Sequence, residues 1–151
     1  MVLWRISNYV SLNGIGGLLT AARWHTKGRP IVYCAQNPST ALLENLVHFE
    51  IDAEDRPSRF RVLKIEGPDS LALEAETIDP SILPQGWTAD LGVTQGIGDL
   101  WLSESRSLLL QVPSVLVPET WNILINPAHP QIKQLKIVAV YDHPFDQRLI
   151  K

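Results

Sequence analysis

The chain has 151 residues, 45% hydrophobic and 19% charged, the proportions of a soluble globular domain with enough chain to bury a core. Its formal net charge of −3 argues against direct nucleic-acid contact, which calls for a basic face. The only cysteine, Cys34, excludes an intrachain disulfide and a cysteine metal cluster. The richest apolar run, 108–117, is broken by Gln111 and Pro113, so no bilayer-spanning helix is expected. Nor does the N-terminal stretch carry the basic and then apolar pattern of a signal peptide. A cytoplasmic protein without membrane contact is the expectation.

Taken in chain order, residues 2–6 read as a short strand that runs into a glycine-rich loop, Asn13-Gly14-Ile15-Gly16-Gly17, suited to tight turns. A β-type run follows at 31–35. Asn37-Pro38 is a helix start, with Asn as cap and Pro in the first turn. The helix predicted over 38–49 turns Leu42, Leu43, Leu46 and Val47 toward a core, with Glu44 and His48 four apart on another face. Residues 59–65 alternate charged and apolar as a half-buried strand does. Between Gly67 and Gly98 the pattern is mixed, with a helical turn at 71–76, a proline-punctuated loop and room for another helix. Strands are predicted at 107–112, 114–117, 121–125 and 135–141. The expected fold class is α+β in a single domain over 1–151, without repeats or linkers.

Several residues invite chemistry, each with a plainer reading beside it. Gly14-x-Gly16 is followed by Leu19 where a dinucleotide fingerprint needs its third glycine, so a loop is the better reading. Cys34 lies in an apolar strand and reads as a small core residue rather than a nucleophile. The four histidines (His25, His48, His129, His143) lack metal-ligand spacing, and no metal is expected. Arg23 carries a guanidinium suited to phosphate oxygens, although on these grounds alone a surface ion pair is the better reading. For Glu44, too, the plainer reading, a solvated helix face, is the better one. Composition and periodicity stop at a soluble α+β domain.

The ordered set of motifs says more. Ala22-Arg23-Trp24-His25 is followed by Pro30-Ile31-Val32-Tyr33, then by Ala41-Leu42-Leu43-Glu44 with His48 after it. Downstream stand Gly98-Asp99-Leu100-Trp101-Leu102, Val112-Pro113-Ser114, Asn126-Pro127-Ala128-His129-Pro130 and Phe145-Asp146-x-Arg148-Leu149. Together these resemble the RES domain, named for its Arg, Glu and Ser and found in the toxins of bacterial toxin–antitoxin pairs. Ala22 and His25 stand where that family usually has glycine and asparagine, and 68–96 carries little family signal.

The resemblance implies an ADP-ribosyltransferase-like α+β domain, with mixed or antiparallel sheets and a few helices around a cleft for NAD. It implies NAD as substrate, no metal, and cleavage of the nicotinamide–ribose bond, the ADP-ribose passing to water, phosphate or a protein. Glu44, Arg23, Tyr33 and Ser114 would be the catalytic set. Glu44 would face the cationic ribose of the transition state, and Arg23 would clamp the pyrophosphate. Tyr33 would stack on the nicotinamide, and Ser114 would bond the ligand or position Glu44. Trp24 and Arg106 join Arg23, Tyr33 and Ser114 as NAD-binding candidates, and Arg106, Arg29 or Lys27 would hold a phosphate acceptor. A cognate antitoxin of the helix-turn-helix kind is the implied partner, with a homo-oligomer also open. A protein-modifying mono-ADP-ribosyltransferase and an inactive partner-binding module remain as alternatives.

Overall fold

The computed structural model describes residues 1–48 and 58–149. Among these, seven strands make one sheet in the order β4-β5-β6-β2-β1-β3-β7. The strands are β1 (Val2–Ile6), β2 (Val32–Ala35), β3 (Arg59–Glu66), β4 (Glu76–Thr77), β5 (Leu109–Pro113), β6 (Trp121–Ile125) and β7 (Lys136–Pro144). All neighbours run antiparallel except the short β4, which pairs parallel with β5. Four α-helices join them: α1 (Ile15–Leu19), α2 (Pro38–Leu46), α3 (Asp69–Leu73) and α4 (Leu91–Glu104). The expected mixed α+β class is what the chain adopts.

Strand alternation splits the core into two layers. Leu3, Val32, Cys34, Ile65, Leu109, Ile123 and Ile125 pack on one side of the sheet. The intervening Leu110, Val112 and Leu124 point the other way, onto Trp24, Ile31 and Trp101. Trp101 brings α4 onto the sheet, and its indole N–H donates to the buried Ser107 hydroxyl at 3.0 Å. Cys34 belongs to the first layer, and burial pushes its thiol up to about 12. It is a neutral core side chain.

Three local expectations differ from the structure. Residues 114–117 are a turn rather than a strand: the Ser114 hydroxyl accepts from the backbone N–H groups of Leu116 and Val117 at 3.0 and 3.3 Å, satisfying donors that a strand ladder would otherwise need. Glu119, with φ 60°, then turns the chain back. The helical turn sits at Asp69–Leu73, and Glu76 belongs to β4 instead. The helix predicted over 38–49 ends at Leu46, its last position lying outside the described residues. Leu43 and Val47, expected in the core, are exposed because Ala41 rather than the leucine stripe is its buried position. The glycine loop does open α1, but residues 7–14 separate that five-residue helix from β1, unlike a dinucleotide turn. Gly14 has φ 70° and lies so close to Ile31 and Pro127 that a side chain would collide with both.

Candidate functional site

A cleft of about 1100 Å³ opens between β1, β3, α2 and the segment from α1 to β2. Among the described residues four arginines line it: Arg5, Arg23, Arg61 and Arg59, the last paired with Asp142 at 2.6 Å. Glu44 is its only carboxylate among the described residues. In a chain of net charge −3 the described lining of the cleft is thus cationic, an arrangement that draws anionic ligands.

Glu44 is aimed by its helix and by the β5–β6 turn. Asn37 caps α2, its side chain accepting from the Thr40 N–H at 2.8 Å, with Pro38 in the first turn. One turn after the buried Ala41, Glu44 shares the face turned to the sheet. The Ser114 hydroxyl donates to Glu44 Oε1 at 2.5 Å, a short charge-assisted bond. The Leu116 and Val117 N–H groups already donate to that hydroxyl, so its proton is left for Glu44. Of the two roles expected for Ser114, this geometry matches the positioning of Glu44.

Arg23 stands at the tip of a turn whose ends, Ala22 and His25, bridge each other through two backbone hydrogen bonds. Ala22 is not among the described residues with positive φ, so its methyl group sits in an ordinary backbone conformation where the family usually has glycine. α4 clamps the turn. Gln95 Nε2 donates to the Ala22 carbonyl at 3.0 Å, and the Thr26 N–H and hydroxyl both donate to Asp99. Gly98 lies directly under the Trp24 carbonyl, leaving no space for a Cβ. The held turn presents an Arg23 guanidinium whose Nη1 is buried and makes no hydrogen bond. Unsatisfied buried donors are costly, more so when charged, and an anionic oxygen at this point relieves that cost.

Tyr33 leaves β2 on the α4 side. Burial raises its phenol above the ordinary value of 10.0. Its oxygen accepts from the Trp24 N–H at 3.1 Å and lies 2.8 Å from His25 Nδ1.

The remaining candidates part company. The Trp24 indole is only 2% exposed and packs against Trp87 at 6.2 Å between centroids; it walls the cleft from within the core rather than offering a ring face. Arg106 is not among the cleft-lining residues: it pairs with Glu76 at 3.0 Å and with Glu104. Arg29 pairs with Asp99 at 3.2 Å, and Lys27 is exposed; neither lines the cleft. Sequence reasoning missed Arg5, whose Nη1 donates to the Ser11 carbonyl at 3.0 Å. Burial lowers its pKa below the ordinary value of 12.5. The signal was available: Arg5 is two residues from the buried Leu3, so an alternating strand points its charge inward.

The sequence matches the RES domain over residues 2–147. A Pseudomonas putida protein described as "Toxin Res" is 48% identical over 149 residues, covering 99% of both chains. The chain belongs to the RES-domain family of toxins. The resemblance seen in the ordered motifs is borne out over nearly the whole chain. A "Prs ADP-ribosylating toxin" of a Sphingobium species is 38% identical over 156 residues, covering 98% of this chain and 96% of that protein. The fold of this RES domain also matches the crystal structure of the M. tuberculosis MbcT–MbcA toxin–antitoxin complex. The TM-score is 0.72 at 14% identity, over 95% of this chain and 84% of that one.

Proposed function

We propose that this RES domain is an enzyme that cleaves the nicotinamide–ribose bond of NAD, and that it acts as the toxin of a toxin–antitoxin pair. The observation that carries this reading is the pairing, in one cleft with a cationic described lining, of a hydroxyl-anchored carboxylate, Glu44 held by Ser114, with a guanidinium whose Nη1 is buried and unpaired, that of Arg23. A dinucleotide offers what each lacks. Its pyrophosphate supplies oxygens for Arg23, and its nicotinamide ribose supplies the developing cation for Glu44. The cleft volume, about 1100 Å³, suffices for such a ligand.

The C1′–N bond breaks with both electrons going to nicotinamide, which leaves neutral and needs no general acid. Positive charge passes to the ribose, and a fixed carboxylate beside it is stronger in the transition state than in the ground state. Water then attacks C1′ and gives up its proton, yielding nicotinamide, ADP-ribose and one proton. Phosphate in place of water yields ADP-ribose 1″-phosphate. Arg5 and Arg61, rather than Arg29, Arg106 or Lys27, are the lining cations that favour a second anion.

A second reading, transfer of ADP-ribose to a protein, draws support from the 38%-identical relative described as an ADP-ribosylating toxin. The cognate antitoxin is proposed by analogy with the MbcT–MbcA pair, and a helix-turn-helix partner fits a chain whose own balance is acidic.

Glu44→Gln is the test. The amide oxygen still accepts from Ser114, so shape survives and charge is lost; nicotinamide release should fall by on the order of 10²–10³. Near-normal release by a folded Glu44→Gln protein would overturn the assignment. Wild-type release from NAD alone supports hydrolysis or phosphorolysis, whereas release only with added lysate protein supports transfer.

A further inference from the structure

His25 is 2% exposed, and its two ring nitrogens meet different partners. Nε2 lies 2.9 Å from the Thr20 carbonyl oxygen. A carbonyl only accepts, so Nε2 carries the proton and Nδ1 of the neutral ring is bare. Nδ1 lies 2.8 Å from the Tyr33 hydroxyl, and the phenol proton therefore points to His25. Burial lowers the histidine pKa, in keeping with a neutral ring. With the Trp24 N–H donating to the same oxygen, one lone pair of Tyr33 is left uncommitted. The chain of bonds runs from Thr20 through His25 and Tyr33 to the backbone of Trp24, the residue after Arg23.

We infer that His25 is a positioning residue that makes Tyr33 an acceptor-only group in the cleft and ties its ring to the Arg23 turn. Tyr33 then meets a ligand with its ring face and one lone pair, and it has no proton to donate. That suits a ligand N–H or O–H, or the cationic ribose, and disfavours a bare carboxylate at the same point. The inference rests on the proposed NAD-cleaving reading of this cleft.

The test compares His25→Asn with His25→Phe, alone and in a Tyr33→Phe background. The Asn amide oxygen reaches the position of Nδ1 and still accepts the phenol proton; Phe fills the space and accepts nothing. Leaving the buried phenol proton without a partner should lower kcat/KM for nicotinamide release by on the order of tenfold in His25→Phe, with His25→Asn staying within about threefold of wild type. In the Tyr33→Phe background His25→Phe should cost less than about threefold further, because coupled residues do not add. Equal losses in both backgrounds, or Asn as harmful as Phe, would overturn the inference in favour of a merely structural histidine. If His25→Phe does not fold, the His25→Asn and Tyr33→Phe comparison still decides. The ring tautomer, read from ¹⁵N shifts of the free wild-type protein, stands apart from turnover. A protonated Nε2 with bare Nδ1 is expected, and a protonated Nδ1 overturns the inference. Wild-type protein that releases no nicotinamide sinks the NAD reading and leaves the tautomer test intact.

Discussion

Arg23 and Arg5 both line the cleft, yet the sequence exposes them differently. Arg23 was legible because its neighbours form an ordered motif, whereas its unpaired Nη1 depends on a turn clamped from 73 residues away, which no local pattern reveals. Arg5 was legible only through register: a charge two residues from Leu3 on an inward face. Arg106 shows the converse error, since standing between two motifs in sequence is no guide to position when Glu76 and Glu104 claim its guanidinium. Histidine spacing was weighed only for metal, so the hydrogen bonds of His25 were passed over. For Arg23 the expected outcome of Arg23→Lys is a raised KM for NAD with a smaller change in kcat. An ammonium is a point charge that does not reproduce two parallel N–H bonds to a pyrophosphate. Steady-state kinetics of nicotinamide release measure it, and an unchanged KM would leave Arg23 with a structural role only.

At the scale of elements, α4 decides whether the Arg23 turn is held, and two of its glycines carry opposite expectations. Gly98 lies against the Trp24 carbonyl with no room for a methyl group, whereas Gly96 has nothing within 4 Å of a built Cβ. Gly98→Ala must push helix and turn apart, and overpacking of this kind costs about 1–3 kcal/mol. Gly96→Ala should stabilise by about 0.5–1 kcal/mol, through the ordinary helix preference for alanine. Denaturant midpoints of the two variants should move in opposite directions, with NAD turnover lost in Gly98→Ala alone; parallel shifts would mean that the clamp is not where the helix meets the turn. The same glycines explain why α4 was hard to read. They dilute helix propensity over a stretch that Trp101 and Thr94 secure by burial, a tertiary gain invisible to propensity. The strands at 2–6, 59–65 and 121–125 were legible because alternation or apolar runs persist to their ends. The segment 114–117 misled for a related reason: Val115, Leu116 and Val117 have strand composition, but Ser114 draws two of the backbone N–H groups into a turn.

Taken whole, the molecule sets a cleft whose described lining is cationic in an acidic chain, and the exposed apolar side chains along it include Tyr9, Val47, Leu91 and Leu116. On the proposed NAD reading, an open cleft of this charge needs no partner to take up its ligand, and nothing in the proposed chemistry asks for activation. The consequence belongs to the cell rather than to the site: the chain expressed alone should arrest growth and drain NAD, and the same chain with Glu44→Gln should do neither. The comparison matters because a misfolded or aggregating protein also slows growth, and only a charge-dependent effect on NAD separates chemistry from burden. Co-expression of a cognate antitoxin should restore both growth and NAD in the wild type. The measurement is total NAD per cell within one doubling of induction, before arrest alters synthesis. Growth and NAD left unchanged by abundant, soluble wild-type protein would overturn the toxin reading at this scale. Arrest with full NAD would leave the toxin standing and redirect the chemistry toward transfer of ADP-ribose to a protein, where a small flux through the same Glu44 suffices to stop growth without emptying the pool.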